Sequence, residues 1–274
     1  MQDKIAFEEH VATNDTIEAT RAFSGDSNRW DDHVREILDV GDERLEHMDR
    51  AGIRYAILSL NAPGVQAIPD PDRAVDIARR ANEKLAAAVQ THPDRYGAFA
   101  ALPMQDPDAA ARELQHCVHD LGFKGALLNG FTQRFTEDSA LYYDLPEFED
   151  FWSTVAELRV PIYLHPRMQI PAQARNYDGH PWLMSAPWGF AVETSIHALR
   201  LCGSGIFDRF PGLRIILGHL GEFIPFGLWR IDARMRYSAR GYRGARPLGD
   251  YFRDHFLVTT SGFFHLRSDC RLSR

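Results

Sequence analysis

The chain has 274 residues, of which 45% are hydrophobic and 25% charged, and it carries a formal net charge of −7. This composition is typical of a globular protein, and the length suits one large α/β domain or two small ones. The negative charge argues against a binder of nucleic-acid backbones, and no apolar run approaches the roughly 18 residues that a membrane span needs. Cys117, Cys202 and Cys270 are widely separated, which is typical of reduced thiols. The N-terminus has no signal-like region, so we expect a cytoplasmic protein.

Seven apolar runs of strand length recur along the chain, at 4–8, 55–60, 96–102, 124–130, 160–166, 213–219 and 256–262. Most are continuously apolar, which indicates strands buried on both faces, as in a parallel sheet. Helical patterns lie between them, at 41–52, 72–95, 106–122, 146–159 and 190–211. This alternation predicts right-handed βαβ units.

Two long segments, 11–40 and 166–189, follow the first and fifth predicted strands, and we expect both to be irregular. In a (β/α) barrel they would be loops on the C-terminal face, where active sites are built. An open doubly wound sheet is the structural alternative. It would normally carry a Gly-rich phosphate turn, and neither GxGxxG nor GxxxxGK[ST] follows a strand here.

Chemically active side chains stand at the ends of four predicted strands: Glu8 and His10 on the first, Asn129 on the fourth, His165 on the fifth, and His219 with Glu222 on the sixth. Glu8 and His10 are two residues apart, so they point to the same side of a strand. In a barrel these ends converge. One carboxylate and two imidazoles then form a mixed set suited to Zn²⁺ or Mn²⁺. Glu222 is near enough in sequence to orient His219.

Each of these residues also has an ordinary structural interpretation. Glu8 can be a solvated strand end, His165 a hydrogen-bonded core histidine, and Glu222 the cap of the next helix. Asn129 with the following glycine can be a simple turn. His180, in "YDGHPW" (177–182), lies in a segment expected over the barrel mouth, so a role in the pocket is open.

With these residues, the chain resembles the amidohydrolase-related decarboxylases, the branch that includes γ-resorcylate (2,6-dihydroxybenzoate) and 2,3-dihydroxybenzoate decarboxylases. The resemblance runs from Lys4 to about Gly262. It is carried by "KIAFEEH" (4–10), "VPIYLHPR" (160–167) and "FDRFPGLRIILGHLGEFIPFGLWRID" (207–232), among other stretches. The Glu8-x-His10 form looks closer to the γ-resorcylate branch.

This resemblance implies a (β/α)8 TIM barrel that binds one divalent metal ion, Zn²⁺, Mn²⁺ or Mg²⁺, without an organic cofactor. It implies non-oxidative, reversible decarboxylation of a small aromatic carboxylic acid, an ortho-hydroxybenzoate, and a homo-oligomer, either a tetramer or a dimer. By position, the metal ligands would be Glu8, His10 and His165, the catalytic pair would be His219 and Glu222, and Phe23, Asn129 and Arg230 would lie around the substrate.

The family pattern has an eighth strand that ends in an Asp, and this sequence lacks that segment. Asp269 is the only late Asp, and it lies outside any strand pattern. We therefore expect one barrel domain over 1–262 with seven of the eight strands, followed by an atypical tail over 263–274. A truncated or frame-shifted product is one hypothesis for this ending. A partner subunit that closes the barrel is another.

Three functions are consistent with these observations. The leading one is a metal-dependent aromatic carboxy-lyase. A metal-dependent hydrolase of a lactone or cyclic amide is the first alternative, because the same ion can activate water. An inactive fragment is the second.

Overall fold

The computed structural model of the protein describes residues 3–24 and 29–263. Its strands are β1 (Lys4–Val11), β2 (Ile53–Leu60), β3 (Tyr96–Ala98), β4 (Ala126–Asn129), β5 (Ile162–His165), β6 (Ile215–Leu217) and β7 (Phe256–Val258). Its helices are α1 (Ile17–Ser24), α2 (Trp30–Leu38), α3 (Asp42–Ala51), α4 (Pro71–Thr91), α5 (Pro107–His119), α6 (Glu149–Leu158), α7 (Gly189–Gly203), α8 (Ile206–Arg209), α9 (His219–Glu222), α10 (Ile224–Met235) and α11 (Leu248–His255). Short 3₁₀ turns cover Gly64–Ala67, Pro146–Phe148, Pro171–Gln173, Arg175–Tyr177 and Pro181–Leu183.

The strands are parallel and follow one another in chain order. One set pairs β1-β2-β3 and the other β4-β5-β6-β7. A parallel bridge between Ala100 and Ala126 joins β3 to β4, and the Lys124 amide donates to the Ala98 carbonyl across the same junction. The predicted parallel α/β architecture is therefore confirmed. Because the strands run the same way, their C-terminal ends lie along one edge.

Within the described residues, the outer edges of β1 and β7 have no strand partner. Large apolar side chains on both strands are exposed: Ile5 by 48%, Phe7 by 41%, Leu257 by 52% and Val258 by 43%. These edges present unpaired backbone groups beside apolar surface, which favours association with a further strand.

Two of the predicted helices, over 72–95 and 106–122, begin in the structure at a capping aspartate. Asp70 accepts a hydrogen bond from the Arg73 amide at the start of α4, and Asp106 does the same for Ala109 at the start of α5. In both helices proline occupies the first turn, where its missing N–H costs nothing. The predicted helix over 190–211 divides in two at Gly205, whose φ is 77°.

The segment 166–189 is irregular as predicted, with only 3₁₀ turns, but the prediction for 11–40 was wrong. It contains α1 and α2. The Thr13 carbonyl accepts from the Ile17 amide to begin α1. Ala12, Ile17 and Ile37 then form a small apolar cluster. The helices are short, so their apolar period spans too few turns to be recognised in the sequence.

One face of the sheet carries an apolar cluster drawn from β2, the residue after β3, β4, β5 and β6: Ile57, Phe99, Leu127, Tyr163 and Ile216. A larger core lies between the other face of the sheet and the helices. No helix in the described ranges is long and apolar enough to cross a membrane. Asp269 and the rest of 264–274 lie outside the described residues.

Candidate active site

β1 brings two potential ligands to the same side of the sheet. Glu8 and His10 alternate with Glu9, and Glu9 points the other way, toward Arg44 at 3.4 Å. His10 pairs in register with Ser59 of β2, and the register shifts between Ala6 and Glu9. Strand alternation therefore delivers both side chains to one place.

The Glu8 carboxylate lies at the centre of three imidazoles. Its Oε1 is 3.3 Å from His165 Nε2, 3.4 Å from His219 Nε2 and 3.7 Å from His10 Nε2. Ligand atoms about 2.1 Å from a tetrahedral ion lie about 3.4 Å from one another. The Glu8, His10 and His165 donor atoms all lie within 4.8 Å of each other, so this set fits a divalent ion with little rearrangement.

The other ring nitrogens of the two candidate histidine ligands contact neutral side chains. His165 Nδ1 is 2.9 Å from Asn129 Oδ1, and His10 Nδ1 is 3.3 Å from Ser59 Oγ. A hydrogen bond from Nδ1–H to a fixed acceptor leaves the Nε2 lone pair free for a metal. The Asn129 carbonyl therefore supports the ligand tautomer of His165.

His219 differs because its Nδ1 faces a carboxylate, Glu222 Oε1, at 2.7 Å. Glu222 is only 1% exposed. A buried carboxylate favours the protonated imidazole, as in a group that carries protons. The Nδ1 partners therefore indicate that His10 and His165 are suited to bind a metal ion and that His219 is suited to acid–base chemistry.

The turn that carries this pair is left-handed, although it hydrogen-bonds as a short helix. Residues 219–223 all have positive φ, between 50° and 77°. Only Gly221 accepts this conformation freely, and each other residue costs roughly 1–2 kcal/mol. The Leu220 amide donates to the Thr259 carbonyl, and Ser195 Oγ donates to the Glu222 carbonyl. Strain held by tertiary contacts is typical of functional sites.

The pKa values of these side chains also differ in direction. Burial lowers the pKa of His165 to about 4, and the neighbouring His10 contributes in the same direction. Burial also opposes charge on His219, but hydrogen bonds to Glu222 and Glu8 raise its pKa to about 10. Burial would raise the pKa of Glu8, and the three imidazoles instead hold it well below its ordinary value. The surroundings thus favour an anionic Glu8 and a neutral His165, and they favour the protonated form of His219.

A cavity of about 530 Å³ opens beside the cluster and is lined by His10 and His165. This volume lies within the roughly 300–1,000 Å³ usual for small-molecule sites. Residues that the sequence interpretation missed also line it: Thr20, Arg29, His33, Glu36, Asn61, Ser185 and Phe190. Asn61 follows the end of β2, so the strand-end signal that identified Asn129 could have found it.

Of the four predicted substrate contacts, the structure describes the side chains of three: Asn129, His180 and Arg230. Asn129 is 1% exposed, and both ends of its amide are engaged: Oδ1 faces His165, and Nδ2 donates to the Leu60 carbonyl at 3.1 Å. His180 and Arg230 are exposed and do not line the cavity. Phe23 belongs to α1, but its side chain lies outside the described part of the structure.

A carboxylate and two imidazoles at the C-terminal edge of a parallel sheet, with a histidine–glutamate pair beside them, define the class as an α/β protein with a candidate mononuclear metal centre. The comparisons with known proteins are consistent with that class. A sequence profile of the amidohydrolase family matches residues 30–260. The chain belongs to the amidohydrolase family, within its decarboxylase branch.

The similar proteins include enzymes with named substrates. The chain is 52% identical over 272 residues to γ-resorcylate decarboxylase from Rhizobium radiobacter, covering 98% of this chain and 82% of that protein. It is 53% identical over 273 residues to the enzyme of the same name from Rhodococcus jostii, covering 98% and 83%. A dihydroxybenzoic acid decarboxylase from Polaromonas, solved with manganese and 2-nitroresorcinol, superimposes with a TM-score of 0.93 at 51% identity, covering 97% and 80%.

Proposed function

We propose that this protein is a metal-dependent, non-oxidative decarboxylase of an ortho-hydroxybenzoate such as 2,6-dihydroxybenzoate. The observation that carries the proposal is the Glu8 carboxylate, which lies 3.3–3.7 Å from three imidazole nitrogens, one of them paired with Glu222. The relatives named γ-resorcylate decarboxylase support the substrate class, with about half of their residues identical.

In this proposal Glu8, His10 and His165 hold one divalent ion. Mn²⁺ is the first candidate because the Polaromonas relative was solved with it. Zn²⁺ also suits a mixed set of nitrogen and oxygen donors, and Mg²⁺ remains a candidate by family resemblance. When bound, the ion would act as a Lewis acid and a template for the substrate oxygens. No organic cofactor enters the proposal.

His219 moves the proton in this proposal. Glu222 holds Nδ1, so Nε2 faces the cluster. With Glu8 engaged by the ion, Nε2 would be free to accept the proton of the ortho hydroxyl and to pass that proton to the ring carbon that bears the carboxylate, and the bond to the carboxylate then breaks. The bond electrons return to the ring, CO₂ leaves, and the phenolate oxygen takes one proton from water. One carbon–carbon bond is exchanged for one carbon–hydrogen bond, so no oxidant is required.

The substrate contacts are assigned from position and surroundings. Phe23, Arg230 and His180 stay predictions for substrate binding. For Asn129 we propose a different role, because its amide is fully engaged by His165 and the Leu60 carbonyl. It would position the His165 ring and not contact the substrate directly.

We further propose that the sheet is a TIM-type barrel forming one domain over 1–262. Seven parallel strands in chain order and an interior layer of apolar side chains support this arrangement. The Tyr163 hydroxyl reaches across the interior to Glu8 of β1 and lies 3.4 Å from the Thr259 hydroxyl beyond β7. The open edges of β1 and β7 would then flank the position of one further strand.

A homo-oligomer, tetramer or dimer, is also part of the proposal. On α10, Phe226 is 84% and Trp229 83% exposed, three residues apart on one helix face. Aromatic patches of this kind mark association surfaces. We expect Trp229→Ser to lower the sedimentation coefficient, whereas Val75→Ser, on the exposed face of α4, should not. An identical assembly state for both variants would refute this surface.

The function is tested with the full chain and Mn²⁺. Incubation with 2,6-dihydroxybenzoate should yield resorcinol and CO₂ in equal amounts, measured by chromatography and gas detection. Glu8→Gln and His219→Asn should abolish the product. Glu157→Gln, on the exposed face of α6, is the matched control and should keep full activity.

A lactone, dihydrocoumarin, is assayed in parallel with a pH indicator. Acid production from the lactone without CO₂ from the benzoate would favour the hydrolase. Neither activity, together with no bound metal in the purified chain, would favour an inactive fragment.

A further inference from the structure

Tyr163 is a buried side chain that contacts the candidate metal ligand and has no role in the proposed chemistry so far. It lies in β5, two residues before His165, and is fully buried. Its hydroxyl donates a hydrogen bond to Glu8 Oε2, across 155 residues of sequence. The two oxygens of Glu8 are therefore divided: Oε1 faces the three imidazoles and Oε2 faces the phenol.

The space around this hydrogen bond is tightly limited. Gly218 follows β6, and a Cβ atom there would lie 2.8 Å from both Glu8 Oε2 and the Tyr163 hydroxyl. Such distances are shorter than normal van der Waals contact, so any side chain at 218 would displace one of the two groups. The glycine provides the room in which the carboxylate and the phenol meet.

Apolar side chains pack around the Tyr163 ring. The Tyr163 ring belongs to the interior layer with Ile57, Phe99, Leu127 and Ile216, and it lies 6.2 Å from the Phe99 ring. Close packing of this kind restricts the ring to one rotamer. The hydroxyl is therefore held where it donates to Glu8 Oε2.

We infer that Tyr163 is a positioning residue that makes Glu8 bind the metal ion through Oε1 alone. This inference rests on the proposed metal-dependent function. A carboxylate with one oxygen engaged elsewhere offers a single ligand atom and cannot chelate through both. A coordination position that a chelating carboxylate would occupy then stays available to the oxygens of the substrate.

The experiment compares Tyr163→Phe with Tyr143→Phe in the full chain. Tyr143 is equally buried, and its hydroxyl lies 2.8 Å from the Thr132 hydroxyl, outside the metal cluster. Mn²⁺ affinity is measured by the loss of the free-ion paramagnetic resonance signal. We expect Tyr163→Phe to weaken Mn²⁺ binding by about 10–100-fold and to alter the spectrum of the bound ion. Tyr143→Phe should change neither.

A second variant keeps the test independent of the phenol itself. Gly218→Ala should also weaken Mn²⁺ binding, because its methyl group would enter the space of the same hydrogen bond. At saturating Mn²⁺, Tyr163→Phe should still show a raised KM for 2,6-dihydroxybenzoate, because Glu8 could then chelate the ion through both oxygens and occupy the position left for the substrate. If Tyr163 only stabilised the fold, Tyr163→Phe would lower the unfolding midpoint without changing the spectrum of the bound ion.

The outcomes separate the two proposals. If Tyr163→Phe binds Mn²⁺ like Tyr143→Phe, with an unchanged spectrum, the role of Tyr163 is refuted. If the wild type binds Mn²⁺ and releases no CO₂, the decarboxylase proposal fails, while a loss of affinity in Tyr163→Phe still supports the positioning role. If the wild type binds none of Mn²⁺, Zn²⁺ and Mg²⁺, both are wrong.

Discussion

Replacing Asn129 with leucine distinguishes a residue that orients a metal ligand from one that binds the substrate. Leucine has a similar volume, but it removes the acceptor 2.9 Å from His165 Nδ1 and the donor 3.1 Å from the Leu60 carbonyl. Each buried group left without a partner costs about 1–3 kcal/mol, so the free energy of unfolding should fall by about 2–6 kcal/mol. Denaturant titration measures this loss.

The effect on the metal is the informative part. Without the Asn129 carbonyl, the His165 ring is no longer held in the tautomer that presents Nε2. Loss of such a partner weakens metal binding by about 10–100-fold, which is about 1.4–2.7 kcal/mol. We expect calorimetry with Mn²⁺ to show this loss, while the KM for 2,6-dihydroxybenzoate at saturating Mn²⁺ remains near the wild-type value.

Thr132→Val is the matched control for Asn129→Leu. It also replaces a fully buried polar side chain by an apolar one of similar shape, and it removes a hydrogen bond to the Tyr143 hydroxyl. It should lower stability and leave Mn²⁺ affinity unchanged. A large rise in KM with normal Mn²⁺ affinity in Asn129→Leu would refute the orienting role and support direct substrate contact.

Three further predictions follow from the same geometry. Glu222→Gln removes the buried carboxylate from His219, so kcat should fall by about 10²–10⁴-fold while Mn²⁺ affinity is retained; normal kcat would contradict the acid–base pair. Mn²⁺ at about 100 times its dissociation constant should stabilise the fold by about 2.7 kcal/mol and raise Tm by about 5–11 °C. A chelator should reverse this shift, and Glu8→Gln should lack it; an equal shift in Glu8→Gln would exclude Glu8 as a ligand. Burial lowers the pKa of His197 to about 3, below its unfolded value of about 6.5. The contribution of neutral His197 to the free energy of unfolding is therefore complete above pH 6.5 and declines by about 1.4 kcal/mol per pH unit below it. His197→Gln should flatten this decline of stability at acid pH, and an unchanged slope would show that His197 does not cause it.

The order of strands could be predicted from sequence because strand burial and helix period are local properties. Continuously apolar runs with helical patterns between them indicated parallel strands, and the described part of the chain has seven in chain order. The helices in 11–40 were missed because each has too few turns to show a period. Strand ends were overextended where the chain turns sharply, as at Gly218, where β6 has already stopped.

The candidate ligands could be predicted for a similar reason. Glu8 and His10 share a strand face by alternation, and His165 ends a parallel strand, so convergence at one edge follows from topology alone. The partners of these ligands could not be predicted. Asn129 was assigned to the substrate from its matching position in the family resemblance, and sequence position does not tell which neighbour its amide will meet.

The amino-acid sequence by itself determined which residue types reach the C-terminal edge of the sheet, because strand period and chain order are set locally. Only the tertiary structure decided which of those groups contact one another. It joined Tyr163 to one oxygen of Glu8, placed Asn129 behind His165, and held His219 and Glu222 in a left-handed turn anchored by Thr259. These contacts join residues up to 155 positions apart, and they depend on the register and packing of neighbouring strands, which no local pattern encodes.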